Sequence, residues 1–163
     1  MIDEKKVRDW FAQEVKERME DAGLAPYQMA YYCRVKHENI YGYLQGKPFP
    51  KLWNTILLAE CLDCSVNDLL GYDEIDDINV YERLLASTTY RDELDFSEHF
   101  AKRLIRMMDD NSTLPEELSK DTGIGLSAIE KWIGDVPVAL PSVLNLLRIC
   151  DALDCTPSDL LGY

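Results

Sequence analysis

The 163-residue chain is 47% hydrophobic and 29% charged, a composition that excludes disordered and collagen-like classes and predicts a packed core. No apolar run is long enough to span a bilayer, and the start MIDEKKVRDWF carries acids where a signal peptide has its apolar stretch, so no membrane partner and a cytoplasmic location are expected. The net charge of −13 excludes a uniformly basic nucleic-acid binder, but the acid is unevenly placed: residues 1–72 sum to about −2, 73–99 to about −7 and 100–163 to about −4.

Taken in chain order, Val7, Trp10, Phe11, Val15 and Met19 recur at helical spacing and predict a first helix with one apolar face. GLAP (23–26) breaks it, and Pro26 suits the first turn of a second helix, YQMAYYC, because a first-turn N–H has no helical acceptor. The turn CRVK leads to a third helix, HENIYGYLQ, with Ile40, Tyr43 and Leu44 on its buried face. After a proline-flanked loop, KLWNTILLAECLD predicts a fourth helix. The phrase LDCSVNDLLGY (62–72) then supplies a fifth, with Ser65 as N-cap, Asp68 in the first turn and Gly71 as C-cap.

An acidic linker is expected over 73–95, and beyond it the pattern starts again. Phe96, Phe100, Leu104 and Met108 repeat the first helix, NSTLP the break, EELSKDT the second helix, TGIG the turn and LSAIEKWIG the third helix. The ending LDCTPSDLLGY (153–163) shares eight of eleven positions with LDCSVNDLLGY. An offset of 89 aligns the copies up to the loop, and after a two-residue insertion, VPVALP against KPFP, the offset is 91. Two units of this length indicate tandem duplication rather than a solenoid, whose periods are shorter. No alternating strand is evident, so the expected fold is all-α, two tandem five-helix domains over 1–72 and 96–163.

The residues L24-x4-M29-A30-x4-V35-x4-I40-x5-G46, followed by the helix ending LDCSVNDLL, resemble the lambda-repressor-like helix-turn-helix domain of the Cro and C1 type, the XRE family. In the second copy L118-S119-x3-G123-I124-x4-I129-x2-W132 carries the same resemblance. Such a domain holds its second and third helices at a fixed angle by close packing and offers the start of the third helix to a DNA major groove. Two departures stand out: Pro26 and Pro115 occupy the place of a phosphate-binding glutamine, and Arg34 replaces the turn glycine of the first copy.

The resemblance implies that His37, Glu38 and Tyr41 face bases in the first copy, with Lys36 and Asn39 on the flanks. Arg34, Lys36, Lys47 and Lys51 surround them with positive charge suited to phosphates. Leu126, Ser127 and Glu130 fill the matching places in the second copy, with Lys131 beside them and Asp121 and Asp135 close by, so that domain is expected to be a degenerate helix-turn-helix used for packing or dimerisation, the alternative being a weak reader that depends on the first copy. Tyr27, Tyr31, Tyr32, Tyr41 and Tyr43 crowd the second and third helices, some as core and some as surface.

The spacing Cys61-x2-Cys64, with Cys150 and Cys155, raises a four-sulfur metal site, but one CxxC without a second does not make one, and apolar packing is the expected role. No metal, cofactor or catalysis is expected: His37 and His99 belong to no acid-base constellation, and GIG at 123–125 lacks a nucleotide loop's further glycine. The expected function is sequence-specific transcriptional regulation on double-stranded DNA by a homodimer, since one small helix reads few base pairs. The competing reading is an antirepressor or DNA-mimic-like module that keeps the fold and turns its acidic surface to a protein partner.

Overall fold

A computed structural model describes residues 2–47, 49–72, 90–134 and 139–162. Every regular element among these residues is a helix, in two runs. The first run is α1 (Glu4–Asp21), α2 (Pro26–Cys33), α3 (His37–Leu44), α4 (Leu52–Cys61) and α5 (Val66–Leu70). The second is α6 (Glu93–Asp110), α7 (Pro115–Thr122), α8 (Leu126–Ile133), α9 (Val143–Leu153) and α10 (Pro157–Leu161). No described helix is long and apolar enough to cross a membrane.

Local chemistry sets the helix ends. Asp3 caps α1 by accepting the Lys6 N–H, and Asp92 caps α6 by accepting that of Asp95. Pro26 and Pro115 open α2 and α7, and in each the third helical residue reaches back: Gln28 Oε1 accepts the Ala25 N–H and Glu117 Oε2 that of Leu114, both at 2.8 Å. The closing phrase forms a reciprocal capping box in both runs, Ser65 with Asp68 and Thr156 with Asp159, and ends on glycines at positive φ, Gly71 at 65° and Gly162 at 71°. The aspartate of each LDC, Asp63 and Asp154, also stands at φ 49°.

Each run buries the face that its periodicity predicts. Phe11, Val15 and Met19 of α1 are buried, as are Met29, Ile40, Tyr43 and Leu69 of the same run, and Phe96, Phe100, Leu104 and Met108 of α6 are buried, as are Leu118, Ile129, Trp132 and Leu160. Full burial of such a side chain stabilises by about 1.5–3 kcal/mol, so these faces are the main source of cohesion. The principal packings correspond: α1 meets α3 and α5 as α6 meets α8 and α10, and α2 meets α3 and α4 as α7 meets α8 and α9. Trp10, taken as an apolar-face residue, is half exposed, and its indole N–H donates to the Asp68 carbonyl at 2.9 Å.

The stretch expected as a linker, 73–95, ends within the described residues. Its last residues, 90–95, belong to the packing of the second run: Tyr90 is buried with its hydroxyl donating to the Leu161 carbonyl, and α6 already begins at Glu93. Asp95, counted among the linker acids, is buried and accepts the Arg91 N–H at 3.0 Å. Residues 73–89 lie outside the described residues.

The two runs touch through α5 and α10. Asn67 Oδ1 accepts the Ser158 N–H at 2.9 Å, Tyr72 donates to Asp151 Oδ1 at 3.0 Å, and the Trp53 ring lies 5.8 Å from that of Phe96.

Candidate nucleic-acid interface

In the first run α2 ends at Cys33, Arg34 takes the left-handed conformation (φ 55°, ψ 34°), and α3 starts at His37 after Lys36. Met29, Ala30, Val35 and Ile40 are all buried at the crossing of the two helices. Ala30 is small there, and its carbonyl accepts the Val35 N–H at 3.1 Å, which draws the turn against α2. In the second run Gly123 takes the left-handed position, and Ser119 in place of Ala30 donates its hydroxyl to the Ile124 carbonyl at 2.6 Å. Thr122 adds a second clasp, accepting the Ile124 N–H at 3.2 Å.

Packing one side of α3 this tightly leaves its opposite side in solvent. His37, Glu38 and Tyr41 are exposed, Asn39 is half-buried, and Arg34, Lys36 and Lys47 are exposed around them. The His37 and Tyr41 rings meet edge to face at 6.3 Å, and His37 Nδ1 lies 3.5 Å from Glu38 Oε2. These three side chains therefore form one contiguous outward strip along the first turn and a half of α3. Lys51 is exposed at the start of α4, where it also lines a groove between the runs with Glu93 and Val143.

The tyrosines sort cleanly. Tyr43 is buried, its hydroxyl accepting from Asn54 Nδ2 at 3.0 Å, whereas Tyr27, Tyr31 and Tyr32 join Tyr41 at the surface, Tyr31 at 81% exposure. Periodicity marks Tyr43 as core but gives no signal that all three tyrosines of an eight-residue helix should face water. The outer side of α2 and α3 is thus aromatic and cationic at once.

On the second run the matching surface has the opposite charge. Ser127 and Glu130 are exposed and Leu126 is half-buried, with Glu116, Glu117 and Asp121 exposed on α7 against Lys120 and Lys131. Asp135 lies outside the described residues.

The cysteines serve packing. All five are free thiols, and those of Cys61-x2-Cys64 diverge: Cys61 hydrogen-bonds Cys33, while Cys64 is buried near Arg18. Burial pushes the Cys64 thiol up to about 12. The Cys33 thiol is raised by burial and then by Cys61, and that of Cys150 by its hydrogen bond to Cys155 and then by burial. Among the described residues no three His, Cys, Asp or Glu side chains are grouped to hold a metal ion.

Residues 103–163 match the family model of the Cro/C1-type HTH DNA-binding domain, a stretch that runs from within α6 through α10. No curated protein and no solved structure matches the chain. The match falls on the run expected to be degenerate. Within that stretch Leu118, Ile124 and Ile129 are buried and Gly123 turns at positive φ, so these residues hold the fold and are silent on the charge of the outer face.

Proposed function

We propose that the protein is a sequence-specific DNA-binding transcriptional regulator whose first run is a second domain of the type matched at 103–163, and that this first domain reads the duplex. The observation that carries the reading is the outward strip His37-Glu38-Tyr41 on α3, bordered by exposed Arg34, Lys36 and Lys47. Equal helix lengths for α1 and α6, α2 and α7, α3 and α8, and α5 and α10 support the shared domain type. The three cations neutralise phosphates and set the register, while His37, Glu38 and Tyr41 meet base edges: a glutamate accepts from a cytosine amine, and a tyrosine ring packs on a thymine methyl. The second domain, with acid on the corresponding face, holds geometry instead of reading.

The acid of that second face, with a net charge of −13 overall, favours one alternative, a module that binds a basic protein partner. Selection of bound sites from a random duplex pool separates the two. Regulation on DNA requires a consensus to emerge and to be lost on His37→Ala or Tyr41→Ala substitution; a pool that never enriches, with the chain retained by a basic protein surface, supports the alternative.

A further inference from the structure

Equivalent residues meet where the two runs join. Asn67 and Ser158 stand 91 places apart, the offset that aligns the two closing phrases, and they are hydrogen-bonded to each other at 2.9 Å. The same offset pairs Phe49, Pro50, Lys51 and Leu52 with Leu140, Pro141, Ser142 and Val143, and these two segments line one groove of about 470 Å³. When two like units associate, a residue meets its own counterpart across a two-fold axis, whereas head-to-tail association joins different patches. Two self-pairings at separate points of the chain are what such an axis requires, and α5 packs on α10.

The interface is filled. Val66, Asn67 and Pro157 are buried, and Asn67 supplies the acceptor for a first-turn N–H of α10 that no residue within that helix can satisfy. A second chain would therefore find this surface already occupied from within. The outer faces related by the axis are unlike: α3 carries His37, Glu38 and Tyr41 among cations, whereas α8 carries Ser127 and Glu130 with Asp121 nearby.

We infer that the chain is an internally paired unit, holding within one polypeptide the two-fold interface that two separate chains would otherwise form, and that it engages DNA as a monomer at an asymmetric site. The pairing stands on the contacts above; the DNA part rests on the proposed reading of α3.

Sedimentation velocity of the full chain, alone and with a duplex carrying a selected site, tests both parts. The expected results are a single species at the 18.8 kDa monomer mass over a wide concentration range, and one chain per duplex. Base-pair substitutions should cost about ten-fold in affinity each on one side of the site and little on the other. A free dimer, or two chains on a palindrome with equal losses in both halves, overturns the inference. If no duplex binds, the DNA reading falls while the monomer mass still upholds the internal pairing; a dimer mass without DNA binding sinks both.

Discussion

Arg34, between α2 and α3, and Gly123, between α7 and α8, lie 89 residues apart, and both stand at positive φ, 55° and 71°. Glycine takes this conformation without penalty, whereas a residue with a Cβ is strained by about 1–2 kcal/mol. The first run thus holds a strained cation where the second holds a relaxed glycine. Strain of this kind persists where something else is gained, and on the proposed reading of α3 the gain is a positive charge for a DNA phosphate. Arg34→Gly should raise stability by about 0.5–1 kcal/mol, the relief being partly offset by the greater freedom of an unfolded glycine, and should weaken DNA binding. Thermal melts and duplex titrations on the same variant must move in opposite directions; a variant that gains or loses both overturns this account of Arg34.

Gly71 lies under Trp10. A Cβ placed there would sit 2.9 Å from the indole ring, and the φ of 65° already disfavours a side chain. The ring cannot move without losing its hydrogen bond to the Asp68 carbonyl. Gly71→Ala should therefore destabilise by about 1–3 kcal/mol, through left-handed strain and overpacking together. Urea melts followed by tryptophan fluorescence would show it, and an unchanged midpoint would mean that α1 and α5 do not close on each other as described.

Four of the five thiols are buried, with Cys61 partly exposed. With the Cys64 thiol pushed up to about 12 from 9.0, its neutral form is favoured by the fold. Stability linked to this group is fully present below pH 9 and is lost as the pH rises towards 12, because the unfolded thiol releases its proton first. At about pH 8 a disulfide reagent should modify at most Cys61 in the native chain and all five thiols after denaturation. Rapid native modification of Cys33, Cys64, Cys150 or Cys155 would contradict their burial.

Asn67→Ala removes the acceptor that the buried Asn67 of α5 offers to the Ser158 N–H of α10. A loss of about 1–3 kcal/mol is expected in a thermal melt. Tyr72→Phe deletes a more exposed hydrogen bond to Asp151, and its effect should stay below about 1 kcal/mol. If the order is reversed, the junction is not centred on Asn67.

Much of the fold was legible because it is written locally. The i, i+4 recurrence of Phe96, Phe100, Leu104 and Met108 and the Ser65-Asp68 and Thr156-Asp159 caps are short-range patterns, and each corresponds to a buried face or a closed capping box. What escaped depends on distant partners. No local pattern near Asn67 points to Ser158, since an asparagine in a short helix reads as solvated until the other run is in place. Tyr90 looks like part of an acidic connector because its partners, Leu161 and Arg103, lie far along the chain. For the site, the chemistry of α3 was readable as a pattern of charge, but which of Tyr27, Tyr31, Tyr32 and Tyr43 faces solvent follows from the crossing of α2 with its neighbours.

The most direct test of the central claim, that α3 of the first run docks on duplex DNA through its surrounding cations, is a salt titration of binding for the native chain, for K36E/K47E and for K131E. Phosphate neutralisation predicts that affinity of the native chain falls steeply and linearly on logarithmic axes as salt rises. The double substitution should lower affinity at least about ten-fold and flatten the slope by about two, whereas Lys131→Glu on the second run should leave both nearly unchanged. No binding at low salt, or a double variant that binds as the native chain does, would contradict the account.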